Sequence, residues 1–283
     1  MEYITLNNGV QMPLLGFGVF QVEDPAVCEQ SVTDAIETGY RLIDTASAYL
    51  NEEAVGRAVR KSGIPREEFF ITSKVWVQDM GYEATLRACE RSLQRLGMDY
   101  MDLYLLHMPF GDVSGAWRAM EELNNDGRVR TIGVCNFRTA RLADLMAHHQ
   151  TAPAVNQIET HVFHQQRAMV DYANRNGIRI EAWGPFAEGK NNFFRNEVLT
   201  EIAARHGKTV AQIALRWLMQ RGIVVIPKSV HRERIEENFR SFGFYLPEDD
   251  MTRIAACDME RPMIGDFDDP EFVYDLCKRK YDI

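Results

Sequence analysis

The chain has 283 residues, of which 41 are acidic and 32 basic, for a formal net charge of −9. Hydrophobic residues make up 46% and charged residues 26%, ordinary globular usage that excludes disorder for the bulk of the chain and allows one or two domains. The acidic balance argues against a nucleic-acid partner, whose phosphates need a basic face, but leaves room for a small cationic pocket.

Met1-Glu2-Tyr3-Ile4-Thr5-Leu6 carries no basic stretch ahead of an apolar core, so no signal peptide is expected. Residues 4–6 and 10–12 flank Asn7-Asn8-Gly9, a β-hairpin pattern with Asn-Gly in the turn. Leu14-Leu15-Gly16-Phe17 then opens a series of eight short apolar or β-branched runs. The others are residues 42–43, 69–72, 102–106, 131–134, 154–157, 178–180 and 223–226. Amphipathic stretches separate them. Residues 25–38 follow Asp24, an N-cap with Pro25 at the first helical position, and stop at Gly39. Residues 52–61, 82–96, 115–125, 138–149 and 166–176 have the same character. Residues 210–220 and 232–240 flank the eighth run, and 198–205 reads as one extra helix.

Strand then helix, repeated eight times, implies parallel strands with helical crossovers. An open doubly wound sheet and a closed (β/α)8 barrel both satisfy this, and the count of eight favours the barrel. The expectation is a single α/β barrel domain over residues 1–283, with 1–12 as a hairpin cap at its bottom and 257–283 as a C-terminal tail. No apolar run approaches the roughly 18 residues of a membrane helix. The five cysteines contain no C-x-x-C pair, so a reducing, cytoplasmic setting is expected. No heptad repeat or large apolar stripe argues against a monomer.

Two motifs mislead. Gly16-Phe17-Gly18 begins like G-x-G-x-x-G, but the sixth position is Gln21 and no helix starts directly behind it, so a pyrophosphate turn is rejected. His161 and His164 have no third ligand nearby, and no metal is expected.

Barrel chemistry collects at the C-terminal ends of strands. Just past the runs stand Asp44 with Tyr49 five residues on, then Lys74, His107, Asn136, Gln157, Trp183 and Lys228-Ser229. Each alone has an ordinary explanation: an Asp caps turns, a Tyr packs, a Lys is solvated, a His is structural. Their placement on one rim points to a site. Lys228, Ser229 and Arg234 at a helix start suit a phosphate monoester, against the alternative of a solvated basic helix end.

These motifs resemble the aldo-keto reductase family. Gly39-Tyr40-Arg41-Leu42-Ile43-Asp44-Thr45-Ala46 with Tyr49 resembles its first signature, Met101 through His107 its second, and Ile226-Pro227-Lys228-Ser229 with Arg234 its third. Thr72-Ser73-Lys74-Val75-Trp76 is similar to the segment carrying the family's lysine. Trp183-Gly184-Pro185 resembles the bacterial branch that includes diketogluconate reductases. The resemblance implies NADPH-dependent reduction of carbonyl compounds, with NADP(H) as cofactor and a small-molecule carbonyl as substrate. It implies Tyr49 as general acid, with Lys74 lowering its pKa, Asp44 as the counter-ion of Lys74, and His107 orienting the carbonyl oxygen. It assigns the 2′-phosphate of the cofactor to Lys228, Ser229 and Arg234, the adenine to Glu237 and Asn238, and the nicotinamide to Trp183, Gly184, Asn136 and Gln157. It makes Phe20, Trp76 and Met108 an apolar substrate wall, and folds residues 189–192 over the pyrophosphate. Three positions depart from the family: Val19-Phe20 stands where Thr-Trp is usual, Met108 where Trp is usual, and Cys135 where Ser is usual. Two other functions fit the same fold: a regulatory or scaffold protein like the potassium-channel β-subunits, and a phosphate-binding barrel isomerase.

Overall fold

β1 (Tyr3–Thr5) pairs antiparallel with β2 (Gln11–Pro13) in a computed structural model that describes all 283 residues. The turn between them differs in detail from an Asn-Gly pair. Gly9 N–H donates to the carbonyl of Leu6 and Leu6 N–H to that of Val10, and only Gly9 takes a positive φ, +85°. Three residues, closed by a left-handed glycine, therefore make the connection. Asn7 donates to Pro153 O, Asn8 to Arg130 O, and Arg179 to Thr5 O. These partners lie at or before the starts of barrel strands, so the hairpin covers the N-terminal end of the barrel.

Eight parallel strands follow: β3 (Gly16–Gly18), β4 (Leu42–Asp44), β5 (Phe70–Val75), β6 (Leu103–Leu106), β7 (Ile132–Cys135), β8 (Val155–Glu159), β9 (Arg179–Trp183) and β10 (Val224–Val225). Each pairs with the next in chain order. A parallel bridge between Leu15 and Val225, with Val225 N–H on Leu14 O at 2.9 Å, closes the ring. Closure explains the early glycines. A Cβ on Gly16 would lie 2.1 Å from Leu42 Cδ2, and one on Gly18 would lie 3.0 Å from Ile226 O. They serve wall packing and make no phosphate turn.

The helices are α1 (Pro25–Thr38), α2 (Glu52–Lys61), α3 (Tyr82–Leu96), α4 (Val113–Asn125), α5 (Thr139–His148), α6 (Arg167–Arg175), α7 (Glu197–His206), α8 (Val210–Gln220), α9 (Arg232–Phe239), α10 (Glu248–Ala255) and α11 (Pro270–Lys278). Asp24 caps α1 by accepting from Ala26 N and Val27 N. α7 is the extra helix expected ahead of α8. α10 and α11 go beyond the elements expected from the sequence, and α11 makes a third of the expected tail helical. Its start, Asp269 capping Glu271 N with Pro270 at the first position, repeats the device that opens α1. The core lies between the strands and the outer helices, where Tyr40, Tyr104, Trp117 and Trp217 are buried. No helix is long and apolar enough to cross a membrane.

Candidate active site

The site forms where the C-terminal ends of β4 through β9 meet. After Asp44 the chain turns through a short 3-10 helix, Ser47–Tyr49, ended by Leu50 in the left-handed region at φ +58°. Two buried side chains hold this turn. Ser47 Oγ donates to Lys74 O at 2.9 Å, and Asn51 Nδ2 donates to Val19 O at 3.0 Å. The turn brings Tyr49 back over the barrel mouth, half-buried, with Phe20 at 4.9 Å and His107 at 5.5 Å between ring centroids.

Lys74 points into the barrel from β5 and is fully buried. A buried ammonium has three protons to place and a large desolvation cost to offset. Its Nζ meets Asp44 Oδ1 at 2.6 Å, Thr45 O at 2.9 Å and Tyr49 Oη at 3.4 Å. Burial works against the charge, but Asp44 more than reverses this and holds the Lys74 pKa above its ordinary value. Tyr49 departs from expectation. Burial pushes its phenol up, Lys74 pulls it down, Asp44 pushes it up again, and the net direction is up. The lysine does not win, because burial of the phenol is the largest effect and Asp44, 2.6 Å from Lys74, offsets part of the lysine's pull. Tyr49 therefore keeps its proton near neutrality. Burial and the nearby Lys74 lower the pKa of His107, so its imidazole is neutral, and its Nδ1 is buried without a partner. Trp76 packs edge-on against it at 5.0 Å.

A cavity of about 680 Å³ opens over these groups. Asp44, Tyr49, His107, Asn136, Gln157 and Trp183 line it, as do Gly184 and Lys228. Phe20, Trp76 and Met108 form part of its wall. Asn136, at φ +61°, donates to His107 O at 3.3 Å and accepts from Trp183 Nε1 at 3.0 Å, which fixes the half-buried indole. Gln157 uses one amide nitrogen on both Asp44 and Glu181, at 2.9 Å each. That leaves its carbonyl oxygen as the end open to a ligand, with Cys135 Sγ a weak donor at 4.0 Å.

Lys228 and Arg234 lie at the mouth and the adjoining α9, both exposed and neither in an ion pair, whereas Arg232 of the same helix is engaged by Asp34, Glu37 and Glu236. Ser229 spends its hydroxyl on His231 N. Glu237 accepts from Thr209 Oγ1, and Gln212 bonds its carbonyl, so it also ties α9 to α8. Asn238 is buried in α9. In the 189–192 loop, Gly189 lines the cavity, and Glu188, Gly189, Asn191 and Asn192 all take positive φ. Gln21 reaches Glu188 across the mouth at 3.3 Å.

The family resemblance implies that the tail from Gly265 to Phe272 borders the substrate pocket, and Phe267, Phe272, Leu276 and Tyr281 line this cavity. Trp76 Nε1 donates to Arg279 O, and Gln78 exchanges two hydrogen bonds with the Tyr281 backbone. A second tie comes from Glu159, at the end of β8. Its buried carboxylate accepts from Met263 N at 2.6 Å, from Ile264 N and Gly265 N at 3.2–3.3 Å, and from His161 Nε2 at 3.0 Å. Met263 to Gly265 lead into the tail wall, so Glu159 acts as a latch. His161, the first half of the apparent metal pair, is committed to it.

Burial pushes Glu159 up, but His161 and the backbone donors more than reverse this, so its pKa lies below the ordinary 4.5. A lowered folded pKa gives stability that is complete above about 4.5 and fades as pH falls through the folded value. Glu159→Ala strands three backbone donors and should cost about 2 kcal/mol or more. The expected result is faster proteolysis of residues 260–283 and a KM increase that exceeds the change in kcat. Unchanged cleavage of the tail would rule out the latch.

The Aldo/keto reductase family model matches residues 15–259. A glyoxal reductase of Bacillus subtilis is 49% identical over 256 residues, covering 90% of this chain and 92% of that one. A morphine 6-dehydrogenase of Pseudomonas putida is 44% identical over 269 residues, 90% of each. An aldo-keto reductase of Bombyx mori, solved in complex with NADP, superposes with a TM-score of 0.90 at 31% identity, covering 95% of this chain and 96% of that one.

Proposed function

The chain belongs to the aldo/keto reductase family, and from that premise we propose that it reduces aldehydes and ketones to alcohols with NADPH, using Tyr49 as general acid. The observation that carries this reading is the buried Lys74, shared between Asp44 and Tyr49 at the floor of an open, largely apolar cavity. Reduction needs a proton donor that is still protonated when substrate arrives, and Tyr49 meets that condition. Its Oη gives the proton to the carbonyl oxygen, and the nearby Lys74 ammonium favours the phenolate left behind. Neutral His107 donates a hydrogen bond to the same oxygen and orients it. Asp44 keeps Lys74 charged.

The cofactor reading fits the side chains present. NADPH, when bound, supplies the hydride. Lys228 and Arg234 are cations with no carboxylate partner, the donor set a 2′-phosphate needs, with Ser229 beside them. The Trp183 indole offers a flat face. Gly184, at φ +62°, lets Ile264 pack against the backbone at the cavity wall, where a Cβ would lie 2.7 Å from its Cδ1. The open carbonyl of Gln157 suits a carboxamide N–H, while Asn136 holds Trp183 in place. Glu237 and Asn238 flank the adenine end. Arg234→Ala should weaken NADPH binding about tenfold or more, the scale of one charge-assisted hydrogen-bonding group, and hardly affect NADH. Equal losses for both cofactors in a fluorescence titration would overturn the phosphate assignment.

For substrate, the aromatic wall of Phe20, Trp76 and the tail favours aromatic and small aliphatic aldehydes and α-dicarbonyls over highly hydroxylated sugars. The similarity to a glyoxal reductase supports the dicarbonyl class. NADPH oxidation with nitrobenzaldehyde, methylglyoxal and a keto-sugar tests this. Turnover of none of the three, with NADPH still bound, would favour a regulatory protein on the same fold.

A further inference from the structure

Seven carboxyl side chains are buried in this protein: Asp34, Asp44, Glu52, Asp102, Glu159, Glu181 and Asp250. Six of them face a Lys, Arg or His within 3.3 Å. Glu181, fully buried on β9, faces none. Its Oε2 accepts from Gln157 Nε2 at 2.9 Å, and the same nitrogen donates to Asp44 Oδ2 at 2.9 Å. Its Oε1 is buried with no partner at all. A carboxylate anion in that position would leave a charged oxygen without solvation, among the most expensive arrangements in a protein interior. A neutral carboxyl accepts the one bond the site offers and leaves only an O–H unmatched.

We propose that Glu181 carries a proton in the resting enzyme and acts, through Gln157 and Asp44, as a positioning residue that leaves the Asp44 charge undivided for Lys74 and so sets the ease with which Tyr49 gives up its proton. This rests on Tyr49 being the general acid. Titratable groups act on Glu181 from three other strands, Asp44 on β4, Lys74 on β5 and Cys135 on β7, while Arg179 on its own strand β9 donates to Thr5 O of the hairpin instead. Gln157 on β8 is the neutral neighbour between them, and on β10 the residue in register is Val224. Burial keeps the Cys135 thiol protonated. Burial and the Asp44 charge together push Glu181 up to about 8, against the pull of Gln157 and Lys74. When Glu181 loses its proton, a second negative charge stands beside Asp44. It disfavours the Tyr49 phenolate, and carbonyl reduction slows.

The test compares kcat/KM for NADPH-dependent aldehyde reduction by the wild-type enzyme, Glu181→Gln and Tyr49→Phe across the pH range. Glutamine keeps the shape of the neutral acid and cannot ionise. The wild-type rate should fall about tenfold more than that of Glu181→Gln between roughly pH 6.5 and 9.5, because only the wild type gains the charge. The infrared C=O stretch of a buried protonated carboxyl should be present in the wild-type enzyme at low pH, titrate with the midpoint of that rate change, and be missing from Glu181→Gln. Parallel pH profiles, or a carboxyl band absent throughout, would overturn the proposal. If Glu181→Gln does not fold, the wild-type band decides: a midpoint apart from the kinetic one overturns it, and a shared midpoint supports it. Tyr49→Phe separates the two levels. Wild-type turnover in that variant sinks the general-acid reading itself, whereas an inactive Tyr49→Phe with unaltered Glu181→Gln behaviour sinks only the role of Glu181.

Discussion

Tyr49→Phe is expected to lower the rate of carbonyl reduction by about 10²- to 10⁴-fold, the usual contribution of a positioned proton donor, while NADPH binding is kept. The substitution removes one oxygen from a ring that is otherwise held by packing against Phe20 and His107. Lys74 loses its contact at 3.4 Å but retains Asp44 at 2.6 Å and Thr45 O at 2.9 Å, so the buried charge stays satisfied and the fold should be little disturbed. The defect should therefore appear in the hydride-transfer step. Rapid mixing of the enzyme–NADPH complex with aldehyde in a single turnover isolates that step. A rate equal to wild type there would remove Tyr49 from the mechanism, and His107, neutral and aimed at the same cavity, would inherit the role.

Lys74→Met is expected to be the most damaging single change to stability. Asp44 is buried, and Lys74 is its only cation. Without it, one amide bond from Gln157 remains to support the carboxylate. Breaking a buried ion pair by removing one partner typically costs about 3–5 kcal/mol, which in a chain of this size lowers Tm by about 10 °C. The pH dependence gives a second signature. Burial already raises the Asp44 pKa in the wild type, against the pull of Lys74 and Gln157, and without Lys74 it rises further above the unfolded value. A group with a raised folded pKa contributes stability that is full below the unfolded value and is lost as pH rises through the folded value. The deficit of Lys74→Met should therefore be smallest near pH 4 and grow toward pH 7. Adding Asp44→Asn should recover most of it. Urea denaturation at the two pH values measures both effects, and a pH-independent deficit would mean that the loss comes from packing alone.

Local chemistry was legible wherever a single residue type decides the outcome. Asp24-Pro25 announced the start of α1 and Gly39 its end, because a cap needs an acceptor and a left-handed exit needs no Cβ. Polar residues just past apolar runs pointed to Asp44, Lys74 and His107, because three such residues at successive ends of buried strands collect on one rim. The same Asp-Pro signal stands at 269–270 ahead of α11, but the aspartates around it weaken the apolar pattern that marks a helix. Glu181 leaves only a faint trace in the sequence, a charge inside a parallel strand, because its significance lies in partners on other strands.

The order of the eight strand–helix repeats and the polar residues at their strand ends follow from the sequence by itself, and the count of eight favours closure, because hydrophobic period and capping chemistry act over a few residues. Only the tertiary structure decided which of those side chains hold one another. The Tyr49 pKa is set by burial of its phenol against the pull of Lys74, which Asp44, 30 positions from Lys74 and at 2.6 Å, partly offsets. Whether a glutamate is latch or proton carrier depends on what reaches it across the barrel: three backbone N–H groups for Glu159, and one shared amide for Glu181. Those outcomes turn on distances between strands far apart in the chain, and electrostatic energy in a buried site changes steeply over such distances.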